Sequence, residues 1–326
     1  MQDIKSSKSL LILAYNEEET IISEVEQYIE LFEEIIIVND CSKDRTKILV
    51  EDYINKNNVT NIKLINNKKN VGAGKSFQTG VDYFLKSNSQ FLIKIDGDGQ
   101  FEYEDVKKLK EIQTKIEPDY IKGDRFWESG VIGEIPLIRY IGNTFASLLI
   151  KLSTGNWQIN DPLNGLMAFS RYSVENLNIP KIFYRYGYPF YVCIFISKLS
   201  YVANLQIIQY KNTIKYGDQK SNLKPLIMFF KLITYTIFSF FTKIKLKFLN
   251  SRLQMSALLD FVFTTLFVLF IYSLVTFVKI RYFLFRGDEA NWFVVMIIFL
   301  LISVFTFVSS QKSENLVHSE KFTDYE

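Results

Sequence analysis

Two long apolar stretches near the C-terminal end constrain the fold of this chain most strongly. Residues 258–278 carry one charge, Asp260, close to the start of the stretch, and residues 292–308 carry none. A helix needs about 20 residues to cross the hydrocarbon core of a bilayer, and the second stretch is at the short end of the accepted range. The sequence therefore predicts two transmembrane helices within residues 253–308.

The residues just before these stretches combine an apolar face with a basic run. Residues 226–241 are rich in aromatic side chains and are interrupted by Lys231, and the following segment, KIKLKFLNSR, holds four cations. This pattern is typical of helices that lie in the headgroup region of a membrane. We therefore predict amphipathic juxtamembrane helices over residues 226–252; the alternative is a third, short span over 226–241. Residues 309–326 are expected to form a polar tail.

The N-terminal end gives the expected orientation. The sequence MQDIKSSK leads into residues 10–14, an apolar run that is too short for a signal peptide or a membrane span. The N-terminal part is therefore expected to stay in the cytosol. The segment between the two spans, KIRYFLFRGDEAN, holds three cations of its own, so the positive charges barely favour either orientation. With two spans, the C-terminal tail would be cytosolic as well.

From residue 9 to about 125, short apolar runs alternate with helical patterns. The runs are SLLILAY, EIIIVND, NIKLIN and FLIKID. Continuous apolar strands separated by helices indicate a mostly parallel sheet covered on both faces, which is a doubly wound α/β domain. The less regular part that follows, with a predicted helix at 141–153, is interpreted as the second half of the same domain, 1–225. Ligands of such sheets bind at the carboxyl ends of the strands, where residues 15–17, 39–40, 66–70 and 96–98 lie.

Composition narrows the chemistry that this chain can perform. The 38 basic and 35 acidic residues leave a net charge of +3, which is too balanced to indicate a nucleic-acid partner. The two cysteines, Cys41 and Cys193, lack the spacing of metal ligands, so neither a disulfide framework nor a zinc site is indicated. The single histidine, His318, lies in the predicted polar tail, which argues against reactions that use a histidine base. Carboxylates, cations or a metal ion would have to carry the chemistry.

The strongest local signal is the motif Asp96-Gly97-Asp98-Gly99-Gln100, directly after the run FLIKI. Two carboxylates one residue apart at a strand end can face one hard cation and leave positions open for phosphate oxygens. A Mg²⁺ or Mn²⁺ ion that bridges a diphosphate is the corresponding use. A simple Asp-Gly turn is the alternative for the motif taken alone, and Asp40 at another strand end favours the metal site.

A second polar loop, NVGAGK at residues 70–75, precedes a helical pattern. It lacks the GxxxxGK[ST] spacing of loops that bind nucleoside triphosphates. Glycines such as Gly72 still permit a ligand to approach the backbone, and Lys75 could meet a phosphate. A plain helix entry is the alternative.

Eight motifs occur in order along this part of the chain. They are AYNEEE (14–19), VNDCSKDRT (38–46), NVGAGKSFQTG (70–80), DGDGQ (96–100), GDRF (123–126), RYIGN (139–143), DPLNGLMAF (161–169) and YGDQKS (216–221). The series resembles family 2 glycosyltransferases of the polyprenyl-phosphate sugar synthase type, similar to dolichyl-phosphate-mannose synthase. The resemblance covers residues 9–225, and the C-terminal span pair is similar to that of bacterial and archaeal members. It implies a GT-A-like (Rossmann-like) catalytic domain that binds a nucleotide-sugar.

The resemblance also implies a donor site. The nucleoside would be contacted by Tyr15, Glu17 and Asp40. The Mg²⁺ or Mn²⁺ ion and the diphosphate would be held by Asp96, Asp98 and Gln100, with Gly72 and Lys75 on the same donor side.

The acceptor side rests on one acid and three cations. Asp161 matches an acidic residue near the sugar and the acceptor, and the cations that match partners of donor or acceptor phosphates are Arg125, Arg139 and Lys220. The candidate catalytic residues are Asp161, Asp98 and Arg125. For Arg139 the alternative is a membrane-facing surface cation, and for Asp161 it is a turn before Pro162.

The activity implied by the resemblance is an inverting transfer of a sugar from a UDP- or GDP-linked donor to a polyprenyl phosphate at the cytosolic membrane face. Such an acceptor is largely ionised already, because the second pKa of a phosphate monoester is about 6. One alternative is transfer to a glycolipid or polysaccharide hydroxyl, which would need Asp161 or a neighbour as general base. The other is a catalytically inactive membrane scaffold. The expected partners are both substrates and the membrane, and a homo-oligomer is left open.

Overall fold

The computed structural model of this chain describes residues 7–126, 137–212, 225–281 and 289–325. Its strands are β1 (Lys8–Ala14), β2 (Glu34–Asn39), β3 (Ile62–Asn66), β4 (Phe91–Asp96), β5 (Tyr120–Asp124), β6 (Met167–Ser170), β7 (Ile207–Lys211) and β8 (Phe322–Tyr325). Its α-helices are α1 (Ile21–Tyr28), α2 (Thr46–Lys56), α3 (Ala73–Phe84), α4 (Tyr103–Lys115), α5 (Leu137–Thr154), α6 (Arg171–Val174), α7 (Tyr188–Val202), α8 (Pro225–Phe248), α9 (Gln254–Lys279) and α10 (Glu289–Ser319).

The strands form one sheet in the order β3-β2-β1-β4-β6-β5-β7-β8. Neighbouring strands are parallel except around β6, which runs antiparallel to both β4 and β5. Leu10, Ile36 and Ile93 are fully buried, as expected of strands whose two faces are covered by helices. The predicted doubly wound, mostly parallel sheet is confirmed, and its first four strands lie where the apolar runs predict them.

The antiparallel strand β6 joins the two halves of the sheet. Because β4 and β5 both run antiparallel to β6, they point in the same direction. The carboxyl ends of the strands in both halves therefore lie along one edge. The loop 161–165 enters β6 at this same edge, so the DGDGQ motif after β4 and Asp161 before β6 can serve one site.

Three helices, α8, α9 and α10, follow the sheet domain in the chain. Within the part of the chain that the structure describes, each forms all or most of a segment that is long and apolar enough to cross a membrane: Leu226–Phe248, Ser251–Lys279 and Ala290–Ser319. Two such helices were expected, together with a helix at the membrane surface. The predicted spans 258–278 and 292–308 lie inside α9 and α10, which pack along each other as an antiparallel hairpin.

One face of α8 packs along the sheet domain. Phe229 of α8 stacks on Phe145 of α5 with ring centroids 4.6 Å apart. One and a half turns later, Tyr235 meets Phe183 edge to face with centroids 5.0 Å apart. Leu232, between them, is almost fully buried. This helix therefore has one face on protein and one apolar face left open.

Residues 309–326 were expected to form a polar tail, but the described part of this segment, 309–325, belongs to the folded domain. α10 continues to Ser319, and β8 then pairs with β7 as the edge strand of the sheet. Ser310, Glu314 and His318 recur at four-residue spacing, so they share one face of the helix end, and all three are buried. The His318 ring nitrogens Nδ1 and Nε2 lie 3.1 Å from Ser200 Oγ and 3.2 Å from the Thr154 carbonyl oxygen. The tail interpretation fails because the polar side chains of this segment face the protein.

Four buried charges lie where α8, α9 and α10 meet. Lys243 and Lys247 of α8, Asp260 of α9 and Glu314 of α10 have no exposed surface. Lys243 Nζ donates to Glu314 Oε2 at 3.0 Å, and Lys247 Nζ contacts both carboxylates. Buried ions are tolerated when they are paired and hydrogen-bonded. This four-charge cluster accounts for Asp260, the charge within the apolar stretch 258–278, and it connects the three helices.

Candidate active site

The acidic motif lies at the edge formed by the carboxyl ends of β1 and β4. The Gly97 N–H donates to the Leu13 carbonyl oxygen at 2.8 Å, and Thr20 Oγ1 donates to the Gly97 carbonyl oxygen at 2.6 Å. These bonds hold the turn 96–99 against the loop that follows β1. Glu17, which belongs to that loop, consequently lies close enough for Asp96 and Asp98 to influence its ionisation.

Glu17, Asp96 and Asp98 form the acidic cluster of this edge. Burial raises the pKa of Glu17 to about 8, and the charges of Asp98 and Asp96 add to the rise. Burial also raises the pKa of Asp98 to about 6, with the charge of Asp96 as the next cause. Half-buried carboxylates that repel one another create a favourable environment for a cation. The acidic cluster is therefore the candidate site for a divalent ion and a diphosphate.

The arrangement suits an ion that shares its ligands with a substrate. Among the residues that the structure describes, no three His, Cys, Asp or Glu side chains converge as a ready-made metal cage. Mg²⁺ is usually held by one or two carboxylates while substrate phosphates supply further oxygens, so Asp96 and Asp98 fit that donor set. The Gln100 N–H donates to Asp98 Oδ1 at 3.2 Å, and the residue is half-buried at the same turn.

Asp40, at the end of β2, organises the loop 67–72. Its carboxylate accepts hydrogen bonds from the Val71 N–H at 2.9 Å and the Gly72 N–H at 2.7 Å. Asn67 Nδ2 donates to the same carboxylate at 2.9 Å. The structure therefore gives Asp40 a positioning role in this loop and does not bring it into the acidic cluster. Its predicted contact with a nucleoside stays a prediction.

Gly72 and Lys75 pack against the segment 184–185. Gly72 has a φ of +92°, and a Cβ at this position would lie 2.6 Å from Arg185 Cα. Glycine is required here by backbone packing, which is a different reason from the ligand approach that the sequence suggests. Lys75 Nζ lies 5.6 Å from the ring centroid of Tyr184. Tyr15, the remaining donor-side residue, is exposed in the loop after β1.

Asp161 and Arg125 form an ion pair at the carboxyl end of β5. Asp161 has no exposed surface, and its two oxygens accept from Arg125 Nε at 2.6 Å and from Arg125 Nη2 at 2.8 Å. The Arg125 backbone N–H also donates to Asp161, at 3.1 Å. Bidentate pairs of this kind fix the plane of the guanidinium group. Asp161 therefore orients Arg125, whose side chain is partly exposed, and the predicted catalytic roles of both residues stay predictions.

The structure does not describe the side chains of two predicted phosphate-binding cations. Arg139 belongs to the first turn of α5, but its side chain is not among those described. Lys220 lies in the segment 213–224, between the described ranges. Both roles remain predictions.

Sequence reasoning missed two buried lysines beneath this edge, Lys94 of β4 and Lys122 of β5. Lys94 Nζ donates to Asp96 Oδ1 at 2.7 Å, and Lys122 Nζ donates to the carbonyl oxygen of Asn164. Burial lowers the pKa of Lys122. Fully buried lysines are rare, so a lysine inside an apolar strand, as in FLIKI and YIKGD, is the signal that could have found them.

Comparisons with known proteins give a family match. The family model described as glycosyl transferase family 2 matches residues 9–177. A dolichyl-phosphate beta-glucosyltransferase of Dictyostelium discoideum is 33% identical over 120 residues, which cover 33% of this chain and 36% of the relative. A UDP-N-acetylglucosamine–dolichyl-phosphate N-acetylglucosaminyltransferase of Methanococcus voltae is 29% identical over 180 residues, which cover 52% of this chain and 71% of the relative.

A solved structure of glucosyl-3-phosphoglycerate synthase from Mycobacterium tuberculosis, in complex with Mn²⁺, UDP-glucose and glycerol 3-phosphate, is 16% identical. The match covers 73% of this chain and 80% of that chain, with a TM-score of 0.49. The match with this chain covers 60% of the length of one curated relative, from Methanocaldococcus jannaschii, and 36% of the length of the Dictyostelium discoideum relative.

Proposed function

Because this chain belongs to glycosyl transferase family 2, we propose that it transfers a sugar from a UDP- or GDP-linked donor to a polyprenyl phosphate at the membrane surface. The proposal is carried by one observation, the acidic cluster of Glu17, Asp96 and Asp98 at the carboxyl edge of the sheet. The apolar helices that follow the sheet domain supply a place for a lipid acceptor. The names of relatives that act on dolichyl phosphate support the same acceptor class.

On the donor side, Asp96, Asp98 and Gln100 are the proposed holders of Mg²⁺ or Mn²⁺ and of the diphosphate. A divalent ion bound there would neutralise charge on the leaving nucleoside diphosphate. Tyr15 and Glu17 line the loop after β1 and are the proposed nucleoside contacts. Asp40 holds the neighbouring loop 67–72 in shape through the bonds described above.

On the acceptor side, a phosphate oxygen of the lipid attacks the anomeric carbon while the bond from that carbon to the diphosphate oxygen breaks, with inversion. The ion pair of Asp161 and Arg125 favours this acceptor over an alcohol. An alcohol needs a general base near neutral pH, whereas both oxygens of Asp161 already accept from Arg125. A phosphate monoester, with a second pKa of about 6, is already ionised. Arg125, held by Asp161, is the proposed partner of the acceptor or donor phosphate.

The pairing of β7 with β8 supports a topology with two membrane crossings. The two strands belong to one sheet, so the chain between Lys211 and Phe322 starts and ends on the same side of the membrane. It must therefore cross an even number of times. We assign the crossings to the α9–α10 hairpin and place α8, which packs along the sheet domain, at the headgroup level of the same side. We take that side to be the cytosol, where the free thiols of Cys41 and Cys193 stay reduced.

Membranes that contain the protein, incubated with radiolabelled UDP- and GDP-sugars and Mn²⁺, test the proposal. We expect label in the lipid fraction, released by mild acid as a sugar phosphodiester would be. Asp98→Asn should abolish the labelling because it removes a charged ligand, while the control Glu111→Gln, on the exposed side of α4, should label like wild type. Acid-stable label would indicate a hydroxyl acceptor instead. Absence of label with every donor would favour an inactive scaffold.

A further inference from the structure

Lys94 is fully buried, although it belongs to β4, the strand that ends at Asp96 of the acidic cluster. Its Nζ lies 2.7 Å from Asp96 Oδ1, 3.2 Å from the Gly165 carbonyl oxygen and 5.4 Å from the ring centroid of Tyr188. An ammonium group taken out of water is costly unless it is paired and hydrogen-bonded. A lysine buried at this position is therefore expected to act on the acidic cluster beside it.

Asp96 separates this buried cation from solvent. The Asp96 side chain is 37% exposed and the Lys94 side chain is 0% exposed, so the lysine supports the carboxylate from inside the domain. Gly165 packs tightly on the pair, because a Cβ there would lie 2.6 Å from Asp96 Oδ2 and 3.0 Å from Lys94 Nζ. The position of the positive charge relative to Asp96 is thus fixed by the surrounding packing.

Lys122 offers a comparison within the same sheet. Lys94 and Lys122 both pair with Met167 of β6, so they lie on one face of the sheet on either side of it. Both are fully buried, and both donate to the backbone of the loop 161–165, at Gly165 and Asn164 respectively. Lys94 is the one of the two that donates to a carboxylate of the acidic cluster.

We infer that Lys94 is a positioning residue, which holds Asp96 in place and contributes one positive charge to the donor site. The inference rests on the proposed function, because it takes the acidic cluster to be the site of the metal ion and the diphosphate. A fixed positive charge beneath Asp96 repels a bare divalent ion and attracts the anionic complex of that ion with a nucleoside diphosphate. The acidic cluster consequently favours the metal-bound donor over the free ion, and Asp96 Oδ1 is held in place.

An electrostatic role of Lys94 predicts affinity changes of opposite sign for a cation and an anion, whereas a purely structural role does not. Loss of the positive charge strengthens binding of a cation and weakens binding of an anion, each by at least about tenfold for charges a few ångströms apart near a protein surface. Loss of packing alone lowers both affinities. Opposite shifts for the two ligands therefore identify the charge effect.

Calorimetric titrations of the full chain in detergent measure both affinities. The first ligand is Mn²⁺ alone, and the second is UDP or GDP at saturating Mn²⁺. For Lys94→Met we expect Mn²⁺ to bind at least about tenfold more tightly and the nucleotide at least about tenfold more weakly than in wild type. Lys122→Met, which is equally buried, should leave the Mn²⁺ affinity unchanged. Lys94→Gln keeps a hydrogen-bond donor without the charge, so it should give the same opposite shifts and replaces the Met variant if that one fails to fold.

The outcomes separate this inference from the proposed function. Folded variants that bind both ligands more weakly, or both as wild type does, would overturn the role of Lys94. The same preparations are assayed for sugar transfer to lipid. If the two affinities shift in opposite directions but wild type transfers no sugar to lipid, the proposed lipid acceptor is wrong and the role of Lys94 is supported. If wild type transfers sugar to lipid but the affinities do not shift in opposite directions, the proposed function is supported and the role of Lys94 is wrong. A wild-type protein that binds no Mn²⁺ would refute both the metal site and the inference.

Discussion

Glu17 and Asp98 are half-buried beside a third carboxylate, and the pKa of each is raised, to about 8 and about 6. A carboxylate with a raised pKa binds its proton more tightly in the folded protein than in the unfolded chain. Its contribution to stability is therefore present at low pH and is lost as the pH rises through the folded pKa. In the metal-free protein, the acidic cluster destabilises the fold at alkaline pH.

Asp98→Asn should therefore stabilise the metal-free protein while it removes activity. At pH 8 the wild-type carboxylate is charged and repelled, so we expect the variant to melt at a higher temperature than wild type. At pH 5, below the Asp98 pKa of about 6, the difference should shrink because the wild-type carboxyl is protonated. Thermal unfolding in detergent with a chelator measures this, and Asp52→Asn, on the exposed side of α2, is the control. A variant that melts below wild type at pH 8 would contradict the electrostatic account.

The pair of Asp161 and Arg125 gives a second prediction at the residue scale. Arg125→Leu leaves the fully buried Asp161 without its ion partner, which should lower the free energy of unfolding by about 3 kcal/mol. Arg125→Leu combined with Asp161→Leu removes both charges and should regain part of the loss. Transfer should be absent in both variants. Thermal unfolding measures the stability of both variants. A double variant less stable than Arg125→Leu alone would contradict the buried ion pair.

The residues that the sequence predicts best are those whose chemistry is local. Asp96 and Asp98 follow a strand directly, so their shared edge can be predicted from the motif. Asp40 occupies an equivalent position, yet its carboxylate turns to the N–H groups of the loop 67–72. Which way a strand-end carboxylate turns depends on a loop that folds back over it, and a linear motif does not contain that information.

Among the elements, the apolar strands and the α9–α10 hairpin are predictable because continuous hydrophobic runs leave few alternatives. The end of α10 is not predictable from the sequence, because its polar residues resemble a solvated tail until the partners at Thr154 and Ser200 are known. β8 is a four-residue edge strand without an apolar run, so only its pairing with β7 identifies it. Tertiary contacts decide both cases.

Glu314→Gln tests the four-charge cluster that connects α8, α9 and α10. The change leaves Lys243 and Lys247 buried with one carboxylate, Asp260, between them. We expect a loss of about 3 kcal/mol in unfolding free energy, typical of a broken buried pair. The matched control is Glu320→Gln, which removes an exposed ion pair with Arg252 and should leave the melting temperature unchanged, since exposed pairs contribute little. Equal effects of the two changes would count against the cluster.

For the whole molecule, the even number of membrane crossings can be tested by labelling. In a background with Cys41→Ser, single cysteines replace Lys86 in the sheet domain, Glu320 after α10, or Ala290 at the start of α10, all of which are exposed. A membrane-impermeant maleimide applied to sealed vesicles should label the first two from one side and Ala290→Cys from the other. Labelling of positions 86 and 320 from opposite sides would exclude the sheet that contains both β7 and β8.

The pairing of β8 with β7 also imposes an order on biosynthesis. A ribosome makes the hairpin before it makes β8, so the edge of β7 stays vacant until both membrane helices have been synthesised. A hairpin inserted with a single crossing would deliver β8 to the opposite compartment and leave that edge exposed, and vacant strand edges invite aggregation. The sheet is therefore complete only in correctly inserted copies, and the unpaired edge of β7 would distinguish the wrongly inserted copies.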